Sequence, residues 1–212
     1  MKKHYLVVVI ILSLLLFVPL FLFKGFGNFD FWWWMSFNLV LLIGLALIFD
    51  KQYLLFLAED FSRNLIKKVT IGLLSAVGLY VVFYFGNHLS RWMFSFADKG
   101  IENVYAFKGD VSVKRIFFLM VLIIGPGEEL FWRGFLQRTL SGRFGNMWGV
   151  LVAALLYSSV HIASGNFMLI MAALLCGIFW GWLFLRFKSM VVNIISHTLW
   201  DIAVFIFFPF GS

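Results

Sequence analysis

Three short stretches carry residue types that can do chemistry. The first is Pro126-Gly127-Glu128-Glu129-Leu130-Phe131-Trp132-Arg133, two adjacent carboxylates followed by an arginine. The second sets Tyr157 four residues before His161. The third spaces Asn193, His197 and Asp201 at intervals of four. Each lies in apolar sequence that reads as membrane-spanning. A charge at membrane depth is costly, so such a residue marks a functional site or a specific ion pair. Acids and imidazoles together can move a proton, ligate a metal or stabilise an oxyanion.

The apolar setting is chain-wide. Of 212 residues, 63% are hydrophobic and only 13% charged, against about 25% charged in ordinary globular domains. This composition predicts an all-α, polytopic membrane helix bundle. At about 20 residues per crossing the chain accommodates roughly seven or eight helices, of which about seven are read below, with little room for an extramembrane domain. The net charge of +7 does not point to nucleic acid. The basic residues fall mostly between apolar segments, where they set topology and meet anionic lipid headgroups. Cys176 is the single cysteine, which excludes a disulfide framework and a cysteine-rich metal site and leaves it as a small core residue.

The elements that must position the three stretches follow from hydropathy. The run Tyr5 to Phe23 is too long for a signal-peptide core and lacks a cleavage site, so it is the first transmembrane helix. A loop, Lys24 to Asp30, leads to a second helix ending at Phe49, opened by the aromatic cluster Phe31-Trp32-Trp33-Trp34 as a headgroup-level anchor. Asp50 to Lys68 is polar and basic, with an apolar middle, Tyr53 to Ala58, suited to the membrane surface. A third helix spans Val69 to Phe85. Asn87 to Asp110 reads as an amphipathic interfacial piece, with His88 a solvated loop histidine. The fourth helix runs from Lys114 to Leu140 through a disturbance at Gly125-Pro126-Gly127. The fifth spans Met147 to Ala163 and the sixth Phe167 to Arg186, where Gly177 and Gly181 permit close packing. The seventh spans Met190 to Phe208. With the N-terminus inside, ten basic residues (Lys2, Lys3, Lys51, Arg63, Lys67, Lys68, Arg138, Arg143, Arg186, Lys188) lie on the inner side and six (Lys24, Arg91, Lys99, Lys108, Lys114, Arg115) on the outer.

These helices bring the polar residues to one layer. At about 1.5 Å per residue, Glu128 and His161 each lie ~21 Å from the loop between the fourth and fifth helices, and His197 and Asp201 lie ~12 and ~18 Å past Ser189. Spacing then separates the two glutamates. Glu129 precedes Arg133 by four residues, the favourable orientation for a structural ion pair. Glu128 is turned about 100° away and is the free carboxylate, able to take a proton from water. Pro126 removes a backbone hydrogen bond and predicts a kink that leaves Glu128 just after a local helix N-terminus. A lone buried histidine ordinarily satisfies itself on a backbone carbonyl; two on separate helices, level with a glutamate, suggest more. His161, His197 and Glu128 can ligate Zn2+, with Asp201 as a further ligand or its support. Equally, they can hold a water that Glu128 deprotonates while the histidines stabilise the oxyanion. The chain lacks a His-Glu-x-x-His zinc-protease motif.

These residues resemble the CPBP family, the type II CAAX prenyl endopeptidases and the bacteriocin-processing or immunity proteins formerly called Abi. The family's Glu-Glu-x-x-x-Arg is present as Glu128 to Arg133, its Phe-x-x-x-His as Tyr157 to His161 with Tyr in place of Phe, and its His-x-x-x-Asn/Asp as His197 to Asp201. The resemblance covers roughly Val113 to Phe207. It divides one bundle into N-terminal helices with an interfacial segment, residues 1–111, and a CPBP-like catalytic core, residues 112–212. It implies an intramembrane endopeptidase in which Glu128 activates water and His161, His197 and Asp201 position it or a metal. Glu129, Arg133, Asn193 and Tyr157 are then structural. Members have been described both as metalloproteases and as glutamate proteases, so Zn2+ and a metal-independent mechanism both stand. The resemblance implies a prenylated CAAX protein as substrate or, because the chain resembles bacterial members more, a peptide precursor or membrane protein, and with it the cytoplasmic membrane. Two other readings compete: a non-catalytic immunity or regulatory protein on the same scaffold, and a proton-coupled transporter. The transporter calls for inverted repeats and paired broken helices; the chain shows one broken helix and no repeat.

Overall fold

The computed structural model describes residues 3–210, with side chains from Tyr5 onward. Lys2, counted above on the inner side, lies outside the described residues, as does the side chain of Lys3. The chain is an all-α bundle with one small ribbon. α1 (Lys3–Phe23) leads through β1 (Gly25–Phe26) and β2 (Phe29–Asp30) to α2 (Phe31–Phe49), α3 (Lys51–Ser62), α4 (Leu65–Met93) and α5 (Ala97–Tyr105). Then come α6, a continuous helical run over residues 113–144, α7 (Asn146–Ser159) with a 3₁₀ extension (Val160–Ser164), α8 (Phe167–Phe187), and α9 (Met190–Ile202) with a last π-helical turn (Ala203–Phe207). The expected loop after α1 is a tight antiparallel hairpin, pairing Gly25 with Asp30 and Phe26 with Phe29. Gly27 closes it at φ 58°, a conformation open to glycine.

Six helices are long and apolar enough to cross a membrane: Tyr5–Phe23, Phe31–Phe49, Leu65–Met93, Asn146–Ser164, Phe167–Phe187 and Met190–Phe207. The chain is thus a multi-pass membrane protein. The remaining expected span, α6, is helical but fails on composition because it carries the charges. It can do so because it is enclosed by its neighbours: every residue of Glu129–Gln137 except Leu130 is buried. Packing around it is close. On α8, a Cβ at Gly177 would meet the Ala154 Cα of α7 at 3.1 Å, and one at Gly181 would meet Val150 at 3.0 Å. The glycine pair therefore does what its spacing predicts.

Local expectations are revised at several points. α4 is 29 residues long, about 43 Å at the helical rise, and absorbs residues 87–93. His88 therefore lies on a helix, exposed, with its ring edge-on to Tyr84 at 4.7 Å. α3 leaves Leu54 and Leu55 exposed and is also keyed into the bundle. Tyr53 is fully buried and its hydroxyl donates to the Leu130 carbonyl at 2.7 Å. Burial pushes that hydroxyl well above the usual tyrosine range, so it stays a donor. Asp60, also buried, accepts from the Val191 amide at the start of α9 at 3.0 Å and pairs with Lys68 Nζ at 2.7 Å. The aromatic cluster is divided too. Trp33 is exposed, whereas Trp32 turns inward and donates from Nε1 to the Phe107 carbonyl at 3.1 Å.

A further correction concerns Pro126. α6 is wound as a π-helix over Met120–Ile124 and again over Glu129–Gln137, with one α-turn, Gly125–Glu128, between them. The Gly125 amide reaches back five residues to the Met120 carbonyl. Gly125, Glu128 and Glu129 all keep right-handed helical backbone. The wider winding carries the helix past the proline, so no local N-terminus opens before Glu128.

Candidate active site

Glu128 and Glu129 leave α6 in different directions and find different partners. Glu129 is fully buried. Its Oε1 meets Arg133 Nη1 at 2.8 Å and His197 Nδ1 at 2.7 Å, and its Oε2 accepts from Asn193 Nδ2 at 2.8 Å. Arg133 comes from the same helix; Asn193 and His197 come from successive turns of α9, where their four-residue spacing puts them on one face. The arginine extends from there to the Cys176 carbonyl of α8 at 3.4 Å. Its guanidinium lies over the rings of Tyr157 and Trp180, at 4.7 and 5.5 Å. Buried charges persist when paired and hydrogen-bonded, and both oxygens of Glu129 are so used.

Glu128 has fewer partners. Oε2 accepts the Tyr157 hydroxyl at 2.9 Å and lies 3.4 Å from His197 Nε2. Oε1 makes no hydrogen bond among the described residues. The side chain borders a cavity of about 580 Å³. Asp201, one turn beyond His197, lines the same cavity and places Oδ1 3.5 Å from His197 Nε2. One imidazole thus stands among three carboxylates, bonded to one and facing the other two.

His161 is held differently. It sits on the 3₁₀ extension of α7, with Nδ1 bonded to the Tyr157 carbonyl at 2.9 Å and its ring 4.6 Å from that of Phe21. The carbonyl bond is the ordinary one for a buried histidine. The ring nevertheless lines the cavity, and it reaches the acids through Tyr157, whose ring is 5.1 Å away, edge-on. The donors named as Zn2+ ligands thus border one cavity, but among the described residues no group of three or more His, Cys, Asp or Glu side chains is placed to hold a metal ion. The chemistry below is therefore built on the chain's own groups.

Sequence reasoning missed Trp180. Its ring stacks on His197 at 3.5 Å with 16° between planes, its Nε1 donates to Ser196 Oγ at 3.2 Å, and its carbonyl accepts from Asn193 at 2.9 Å. The available signal was a large aromatic three residues after Gly177, on a helix whose glycines mark close packing. Gln137 was missed as well; its amide ties α6 to the Gly181 carbonyl at 2.8 Å.

Beyond this polar corner the cavity is apolar. It runs between α4, α5 and α8, past Phe83, Val104, Phe107, Met171 and Phe94, to Phe210 near the C-terminus. A carboxylate with one unengaged oxygen, an imidazole in a fixed orientation and an apolar chamber beside them suit the activation of a water against a bound chain.

Residues 111–203 match the family model described as type II CAAX prenyl endopeptidase Rce1-like, a protease family. None of the curated proteins or solved structures compared matches the chain. The matched segment contains all three motifs and α6 through α9, and leaves α1 to α5 outside. Over residues 111–203 the chain is thus similar to the Rce1-like type II CAAX prenyl endopeptidases, the family that its three motifs resemble.

Proposed function

We propose that this protein is an intramembrane endopeptidase in which Glu128 activates the hydrolytic water. The observation that carries this is the unequal use of the two glutamates. Glu129 spends both oxygens on Arg133, His197 and Asn193, whereas Glu128 keeps Oε1 unengaged at the cavity wall. A water beside Oε1 gives it a proton and attacks the scissile carbonyl. The oxyanion formed accepts from Nε2–H of a doubly protonated His197, whose Nδ1–H is fixed on Glu129, while His161, its Nδ1–H donated to the Tyr157 carbonyl, offers Nε2 only as an acceptor toward the water. Glu128 then returns the proton to the leaving amine, so acid and base are one group in turn. Asp201 and Glu129 hold the His197 ring, and Trp180 supports it from one face.

The substrate is a peptide or membrane protein whose apolar part occupies the cavity, and no nucleic acid is involved. The N-terminus lies on the inner side of a bacterial cytoplasmic membrane, which the ten-to-six distribution of Lys and Arg supports. The test uses the purified chain in lipid nanodiscs with an internally quenched farnesylated CAAX peptide and its unprenylated counterpart. Wild-type protein is expected to cleave, and Glu128→Gln to lower turnover by about 10²- to 10⁴-fold, the usual contribution of a positioned acid–base group. Full cleavage by Glu128→Gln overturns the role of Glu128. Failure of the wild type on both peptides, together with binding of either, favours the non-catalytic scaffold instead.

A further inference from the structure

The second motif departs from its family at one position: Tyr157 stands where the pattern has Phe. The two differ by one hydroxyl, and here that hydroxyl has a definite target. It donates to Glu128 Oε2 at 2.9 Å, across 29 residues of sequence and between two helices. The ring carrying it is immobilised on several sides. Trp132 meets it edge-on at 5.5 Å and 71°, His161 at 5.1 Å and 68°, and the Arg133 guanidinium lies 4.7 Å over its face. The residue is 6% exposed. A tyrosine has two side-chain torsions, so a ring fixed in this way fixes its hydroxyl.

Glu128 has no comparable restraint. Its other polar contact, to His197 Nε2 at 3.4 Å, exceeds normal hydrogen-bond length. Its terminal torsion is broad and nearly two-fold. Without the phenol, the carboxylate plane would turn about that torsion and neither oxygen would be held toward the cavity.

We propose that Tyr157 is a positioning residue that holds Oε2 of Glu128 through its hydroxyl and thereby presents Oε1 to the hydrolytic water. This rests on the proposed role of Glu128 as the base. The hydroxyl is an addition that this chain makes to the motif.

Tyr157→Phe tests the idea. It keeps the ring, its packing and its cover over Arg133, and restores the residue of the family pattern. Two readouts are taken in nanodiscs. The first is cleavage of the farnesylated peptide, where kcat is expected to fall on the order of 10- to 100-fold with KM unchanged within twofold. The second is the carboxylate infrared band of Glu128, isolated as the difference between each protein and its Glu128→Gln counterpart. Loss of the phenol donor is expected to move that band, and this readout needs no turnover. An unmoved band, an unchanged kcat, or a rise in KM with constant kcat each overturns the positioning role. If Glu128→Gln cleaves fully, the base assignment has failed; a band that still moves in Tyr157→Phe then shows that the hydroxyl bond exists without serving catalysis.

Discussion

Glu129 sits with Arg133, His197 and Asn193 in a knot that water does not reach. Removing the anion leaves a guanidinium buried without its partner, and breaking a buried pair in this way costs about 3–5 kcal/mol. Glu129→Ala is therefore expected to unfold at markedly lower temperature or denaturant concentration in detergent. Glu128→Gln keeps size and polarity, strands no cation, and is expected to unfold within about 1 kcal/mol of wild type while losing cleavage. Equal losses of stability in the two variants would show that the acids are not divided as the geometry indicates. The division was legible in the sequence because spacing of four along a helix puts Glu129 beside Arg133 whatever surrounds them. The imidazole's attachment to Glu129, the stacking of Trp180 and the target of the Tyr157 hydroxyl were not. Each depends on how α6, α7, α8 and α9 meet, and a stacking tryptophan leaves no charge pattern to read.

At the level of elements, hydropathy fixed the apolar spans because lipid exposure demands uniform apolar sequence. It did not show how α3 is tied to the bundle, and it ended α4 too soon, because polar residues there are satisfied by partners that hydropathy does not register: Tyr53 by Leu130, Asp60 by Val191, and Arg91 by Asn87 and Phe210. Close approach makes some glycines testable. A Cβ at Gly134 would lie 2.0 Å from the Tyr53 hydroxyl oxygen, and one at Gly149 would lie 2.6 Å from the Ser141 backbone nitrogen. Gly134→Ala must displace the hydroxyl that ties α3 to α6, and Gly149→Ala must part α7 from the end of α6. Each is expected to lower unfolding stability by about 1–3 kcal/mol, as overpacking does. Gly142, also helical, has nothing within 4 Å of its Cβ position. Gly142→Ala is expected to be neutral or to stabilise by up to about 1 kcal/mol, which makes it the internal control in the same thermal scan.

The whole molecule combines an apolar chamber, one polar corner and asymmetric basic loops. Because no group of three or more His, Cys, Asp or Glu side chains is placed to hold a metal ion among the described residues, exhaustive chelation is expected to leave peptide cleavage within about twofold of the untreated rate. A loss restored by added Zn2+ would assign His161, His197, Glu128 and Asp201 to a metal instead. Orientation has its own readout, because the single cysteine, Cys176, is buried and the native chain should not react with an impermeant maleimide. Lys108→Cys is expected to label in intact cells and Lys51→Cys only after the membrane is opened; the reverse pattern would invert the topology.

The π-helical winding of Glu129–Gln137 also bears on the length of the chain. In an ordinary α-helix, deleting one residue swings everything beyond it by about 100° and draws it in by about 1.5 Å. A π-stretch holds surplus residues per turn, so one deletion can be absorbed by tightening the coil to α. Arg138, past that stretch, would keep its ion pair with Asp50, and the ends of α6 would keep their seats. Only the side chains between them would change bearing. The register in which the bundle can best spare a residue is therefore the register that the two glutamates and Arg133 occupy.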